Sequence, residues 1–221
     1  MTTLDTLQVE TAANPVAAVI WMHGLGADAR DFESAVPSLD LGPAKPVRYV
    51  FPNAPMRPVT LNGGMAMRAW YDLVSMDRDA PEDEAGIRTS AAGIEALIDA
   101  ERERGIPAGN IVVAGFSQGG AMALFTALRY PETLAGVLAL STYLPIAAVV
   151  RDEASAANRG VPIFMAHGEH DNVVPANFAR SSRQRLTQMG YEVDWREYPM
   201  SHSVIPEELA DIRQFLDRVI D

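Results

Sequence analysis

Two kinds of apolar pattern alternate along the chain. Short, nearly continuous apolar runs at 16–22, 47–51, 111–115, 135–141 and 162–167 have the character of strands buried on both faces, as in a parallel sheet covered by helices. A further run at 193–198 is more polar and suits an edge strand. Between these runs the spacing turns helical. Over 82–104, Ile87, Ala91, Ile94 and Ile98 recur on one face, acidic Glu82, Asp83 and Glu84 sit at the start, Arg102 and Arg104 at the end, and Gly105 supplies a stop. A helix over 178–189 ends at Gly190 in the same way, and a last one follows Pro206 with Leu209, Ile212, Leu216 and Val219 as its inner stripe.

Strand and helix in alternation predict right-handed crossovers and an open, twisted sheet between helical layers, with ligands bound at the carboxyl ends of the strands. The stretch 51–79 departs from this rhythm: it is rich in Pro, Gly and Met, lacks a clear period, and is long enough to be a functional excursion. No repeat, low-complexity tract or linker interrupts the 221 residues, so a single domain over 1–221 is expected. Uncharged stretches at 110–128 and 133–150 are long enough to suggest membrane spans. The first contains Ser117, Gln118 and glycines, and the second Ser141, Thr142 and Pro145, which suit buried globular core instead.

Charge narrows the partners. A net charge of −11 makes nucleic acid and anionic lipid surfaces repulsive at long range. The absence of cysteine removes disulfides, thiolate zinc sites and cysteine nucleophiles, and is compatible with a reducing, cytoplasmic setting. Met1-Thr2-Thr3-Leu4-Asp5 does not read as a signal peptide. Neither integral membrane association nor nucleic-acid binding is expected.

The chemistry centres on Gly115-Phe116-Ser117-Gln118-Gly119-Gly120, which follows the apolar run ending at Ala114 and precedes a helix-compatible stretch through Ala121, Leu124 and Leu128. Strand, sharp turn and helix form the context of a Gly-x-Ser-x-Gly nucleophile turn, in which strain lifts the serine hydroxyl above the sheet and its neighbours must be small. A serine needs a base, and the base an orienting carboxylate, in the chain order Ser, acid, His. Of His23, His167, His170 and His202, only His202 follows a late strand and precedes the final helix. For the acid, Asp171 and Glu169 both lie on the loop after 162–167; Asp171 is favoured because a tight turn fixes its short side chain better. Asp194 falls inside a strand. The crowding of His167, Glu169, His170 and Asp171 has metal-ligand chemistry but no distant third ligand, so no metal is expected.

A second motif competes. His23-Gly24-Leu25-Gly26-Ala27-Asp28-Ala29 contains Gly-x-Gly-x-x-Ala, a dinucleotide fingerprint that would make the chain an NAD-dependent oxidoreductase. Its ribose-binding carboxylate is missing, since the second strand ends in Val50-Phe51-Pro52-Asn53. The alternative is an oxyanion loop, in which the Leu25 amide pairs with the Gln118 amide just after the nucleophile. That reading also accounts for the serine motif and needs no cofactor.

These residues resemble the carboxylesterase, lysophospholipase and acyl-protein thioesterase family of α/β-hydrolases. The resemblance is carried by His23-Gly24-Leu25-Gly26, Phe51-Pro52-Asn53-Ala54-Pro55, Arg68-Ala69-Trp70-Tyr71-Asp72, the Ser117 block, His167-Gly168 with Asp171 and Val174-Pro175, and Met200-Ser201-His202-Ser203. Ser201 stands where the family often has glycine. The resemblance implies a three-layer α/β/α fold with a mostly parallel central sheet. It also implies a metal-independent ester or thioester hydrolase using Ser117, Asp171 and His202, with the Leu25 and Gln118 amides as oxyanion donors. The stretch from Leu61 to Met76, with Trp70, is then expected to border the acyl groove.

Composition independently suits a greasy substrate there: Leu61, Met65, Trp70, Leu73 and Met76, with Met56 and Met67, offer a flexible apolar lining. Several of them could instead pack under the loop, and an exposed patch could form a homodimer contact. The expected partner is a small-molecule acyl ester or thioester, with lysophospholipids and acylated proteins as candidates. Rival readings are the NAD enzyme and a non-catalytic small-ligand receptor on the same fold.

Overall fold

The computed structural model describes residues 4–75 and 80–221. Its strands are β1 (Thr6–Glu10), β2 (Ala17–Met22), β3 (Val47–Pro52), β4 (Met56–Val59), β5 (Met65–Arg68), β6 (Ile111–Phe116), β7 (Gly136–Leu140), β8 (Ile163–Gly168) and β9 (Val193–Tyr198). The α-helices are α1 (Glu84–Glu103), α2 (Gln118–Ala127), α3 (Ala147–Glu153), α4 (Ala176–Gln188) and α5 (Pro206–Val219). Seven strands form one sheet in the order β1-β3-β2-β6-β7-β8-β9, parallel throughout except for β1, which pairs antiparallel with β3.

The near-continuous apolar runs are explained by burial on both faces. In β2, Ala18, Ile20 and Met22 face a core shared with α1 and α2, while Ala17, Val19 and Trp21 face a second core shared with α5 and the 3₁₀ segment Glu33–Leu39. Ile87, Ala91, Ile94 and Ile98 are all buried on α1, as their spacing predicts. The fold is the three-layer α/β-hydrolase arrangement. The more polar β9 lies at the sheet edge, as expected. Both uncharged stretches are buried core, and no described helix is long and apolar enough to cross a membrane.

Some elements were not expected. β1 is short and mostly polar, yet it occupies the opposite edge, where Leu7 and Val9 pack on the core and Glu10 accepts from Arg48 Nε at 2.8 Å. The excursion contains a small antiparallel hairpin, β4 with β5, joined through a 3₁₀ turn at Thr60–Asn62. On α5 the fully buried positions are Glu208, Ile212, Phe215 and Leu216; Leu209 and Val219 are only partly covered.

The strand order places the site. After β2 the chain adds β3 on one side and returns to put β6 on the other, so the loops leaving β2 and β6 flank a topological switch point, where open α/β sheets form their crevice. Met22 and Gly115 are register partners, so these two loops leave the sheet side by side.

Glu208 is a carboxyl with no exposure in the first turn of α5. Burial pushes it up to about 8 from an ordinary 4.5, Asp211 adding to the effect and the Ile205 backbone opposing it. Between those values the unfolded chain releases a proton that the folded chain keeps, so this group's stabilising share is present at acid pH and lost as pH rises towards the folded value. Glu208→Gln should therefore gain on the parent by at least about 1 kcal/mol between about pH 5 and about pH 8.5, read by urea unfolding followed by circular dichroism. A constant difference between variant and parent across that range would contradict the assignment.

Candidate active site

Ser117 joins β6 to α2 with φ 54° and ψ −120°, a left-side conformation that an L-residue adopts only when its surroundings impose it. The surroundings do so by close approach. A Cβ on Gly115 would overlap the Gly119 backbone, and one on Gly119 would overlap the carbonyl oxygens of Met22 and His23. The Ser117 amide donates to Leu140 O at 2.8 Å, and its carbonyl accepts from Ala121 N at 3.1 Å and from the Thr142 hydroxyl at 2.6 Å. Ser117 and His202 are both half-buried and line one cleft of about 240 Å³ with Leu25, Leu73, Phe116 and Val174.

Asp171 and His202 come together because the loops after β8 and β9 are adjacent. Gly168 and Tyr198 are register partners, and the Glu169 and His170 amides donate to the carbonyls of Tyr198 and Met200 at 2.9 and 3.1 Å. The contact is so close that a Cβ on Gly168 would overlap the Met200 and Ser201 carbonyl oxygens. Asp171 is 6% exposed and its carboxylate is fully engaged. Oδ1 accepts from the Val173 and Val174 amides, both at 2.8 Å, and Oδ2 accepts from His202 Nδ1 at 2.7 Å. Since the carboxylate only accepts, the His202 proton sits on Nδ1 and the Nε2 lone pair is left free to act as a base. The Phe116 ring holds the imidazole from the side, with centroids 4.6 Å apart. Glu169, the alternative acid, is exposed.

Two of the other histidines have structural partners. His23 Nδ1 donates to Gly24 O at 2.7 Å and Nε2 accepts from the Ala54 amide at 3.1 Å, while burial lowers its pKa and keeps it neutral. His167 is likewise lowered by burial; its Nε2 donates to Val174 O at 2.8 Å and lies 3.4 Å from Asp171 Oδ2, bracing the acid loop. His170 is exposed. Asp194 pairs with Arg196 and Arg218, away from the cleft lining.

Leu25 lines the cleft, as does Gln118, and neither backbone amide finds an acceptor among the described residues. Their segments are bound together through the excursion. The Gln118 side chain accepts from the Trp70 amide at 2.8 Å and donates to Tyr71 O at 2.9 Å; the Trp70 indole N–H donates to His23 O at 2.9 Å. The Ser90 hydroxyl donates to Trp70 O. Between β2 and β3 the described residues form no α-helix, only the 3₁₀ segment Glu33–Leu39, so the Gly24-x-Gly26 turn does not open the helix N-terminus that a dinucleotide pyrophosphate requires.

Among the expected acyl-groove residues, Leu73 lines the cleft. Trp70 is completely buried and serves the hydrogen-bond network just described. Leu61 and Met65 sit exposed on the hairpin, 42% and 65% accessible, outside the cleft lining. Met76 lies outside the described residues. Sequence reasoning did not single out Tyr71, Tyr143 and Asp31 as cleft residues. Tyr71 was within reach as the neighbour of Trp70, but the Tyr143 segment carries no motif.

Trp70→Phe keeps an aromatic ring but deletes the donor to His23, leaving a buried carbonyl without its partner. We expect a loss of about 1–3 kcal/mol in unfolding free energy by urea titration, against a smaller loss for Leu73→Val at the partly exposed cleft wall.

Known proteins give the same picture. The family model described as phospholipase/carboxylesterase matches residues 4–220. Acyl-protein thioesterase 1 of Mycosarcoma maydis is 38% identical over 237 aligned positions, covering 100% of this chain and 99% of the relative. Acyl-protein thioesterase 1 of Neurospora crassa is 42% identical, covering 95% of this chain and 89% of the relative. The crystal structure of Zea mays acyl-protein thioesterase 2 superposes with a TM-score of 0.87 at 29% identity, covering 98% of this chain and 99% of that one. With sequence, topology and the serine turn in agreement over nearly its whole length, the chain belongs to the phospholipase/carboxylesterase family of α/β-hydrolases.

Proposed function

We propose that this hydrolase cleaves carboxylic esters and thioesters of apolar acyl chains through an acyl-serine intermediate, with 1–221 working as one domain. The observation that carries the reading is the Asp171–His202 hydrogen bond at 2.7 Å on the cleft that also holds the strained Ser117. His202 Nε2 takes the Ser117 proton as Oγ bonds to the acyl carbon. The Leu25 and Gln118 amides receive the developing oxyanion, and each such donor is worth roughly 3 kcal/mol of transition-state stabilisation. The carbon–oxygen or carbon–sulfur bond to the leaving group then breaks, and His202 returns the proton to the departing alcohol or thiol. Water repeats the sequence and releases the acid. Asp171 holds the tautomer and stabilises the imidazolium.

The names of the relatives support acylated proteins as one substrate class, and the family description supports phospholipid and other carboxylic esters as another, lysophospholipids being the candidate among them. Leu73, Val173 and Phe116 give the cleft an apolar wall for either. Met56, Leu61 and Met65, exposed on the hairpin, are the surface on which a homodimer would form. The lack of cysteine supports a cytoplasmic setting.

Ser117→Ala should lower turnover of a chromogenic acyl ester by at least about a thousandfold and abolish labelling by a fluorophosphonate, with the thermal unfolding midpoint preserved. Asp171→Asn should cost about 10⁴-fold while leaving Ser117 in place. Retained turnover in the alanine variant would assign the nucleophile elsewhere.

A further inference from the structure

The reaction cleft does not end in a plain apolar wall. Tyr71 and Tyr143 line both this cleft, of about 240 Å³, and a second cavity of about 110 Å³ beyond it, with Leu73 shared as well. Their hydroxyls are hydrogen-bonded to each other at 2.8 Å. Tyr71 is 1% exposed, Tyr143 partly so. Burial raises both phenols, so both keep their protons. One hydrogen is used within the pair. The second has no acceptor among the described residues, so the partition presents a polar O–H to whatever lies against it.

The pair is also fixed relative to the nucleophile from two directions. Tyr143 directly follows Thr142, whose hydroxyl holds the Ser117 carbonyl at 2.6 Å, and the Tyr71 carbonyl accepts from Gln118 Nε2 at 2.9 Å. The two phenols are therefore a fixed, polar part of the wall of the cleft that Ser117 lines. The cavity behind has Leu73, Val74, Leu144 and Phe178 on its walls and Glu82 and Arg185 at its polar side.

We infer that the hydrogen-bonded Tyr71 and Tyr143 pair is the specificity-determining element of the acyl site, a polar partition that selects short acyl chains by closing the cleft off from the cavity behind it. This rests on the hydrolase reading of the preceding section. A long chain must break the pair or lie against its unpaired O–H; a short one stops before it.

The experiment is a kcat/KM series over acetyl, butanoyl, octanoyl and dodecanoyl thioesters, with active enzyme counted by fluorophosphonate titration. The parent should favour butanoyl over dodecanoyl. Tyr143→Ala, which joins the two cavities, should raise the dodecanoyl-to-butanoyl ratio by about tenfold or more. The double variant Tyr71→Phe with Tyr143→Phe, which removes both hydroxyls and keeps both rings, should raise it severalfold and decides the matter if the alanine variant is unstable. A parent that already prefers dodecanoyl, or a ratio unchanged in variants that titrate normally, overturns the partition and leaves the hydrolase reading intact. A parent that neither labels nor turns over any thioester overturns the hydrolase reading and the partition with it.

Discussion

The site depends on one strained residue. A non-glycine backbone at φ 54° costs roughly 1–3 kcal/mol, which Ser117 meets only because its surroundings permit no relaxed alternative. Its amide is tied to β7, its carbonyl to Thr142, and the glycines two positions before and two after allow β6, α2 and the end of β2 to close around it. Gln118, just after it, and Leu25, on the loop leaving β2, line the same cleft. The Ser117 residue and its neighbour Gln118 are thus placed on the cleft by a single backbone constraint.

A second arrangement brings Asp171 and His202 together. Asp171 is buried, and its carboxylate oxygens accept from two amides and one imidazole, so its hydrogen-bonding capacity is met inside the protein. His167 lies under it, neutral, holding the loop at Val174. The chain therefore divides its histidines by burial. His23 and His167 are desolvated and act as fixed hydrogen-bonding parts, whereas His202, half open to the cleft, keeps one nitrogen free for chemistry.

The excursion has a different role from the one its composition suggested. Its methionine-rich hairpin is exposed, and the groups that touch the site are further on. Trp70 and Tyr71 connect by hydrogen bonds to His23 and Gln118, so the segment braces the loops that leave β2 and β6 before it contributes Leu73 and Tyr71 to the cleft wall. Exposed methionines and cleft-lining methionines look alike in a sequence, because composition carries no information about which side of a hairpin faces inward.

The amino-acid sequence alone determined the parallel sheet, because strands buried on both faces must be apolar at nearly every position, and it determined the serine turn, because close backbone approach admits only glycine at its flanks. It also pointed to His202 and to Asp171 over Glu169 through chain order and turn chemistry. Tertiary structure decided the rest. The edge strand β1 and the hairpin strands β4 and β5 are only four or five residues long, too short to stand out by period, and are defined by their pairing, β1 with β3 and β4 with β5. The burial of Trp70, the hydrogen-bonded tyrosine pair that lines two cavities and the buried Glu208 are properties of surroundings assembled from distant segments, and no local pattern of residues encodes them.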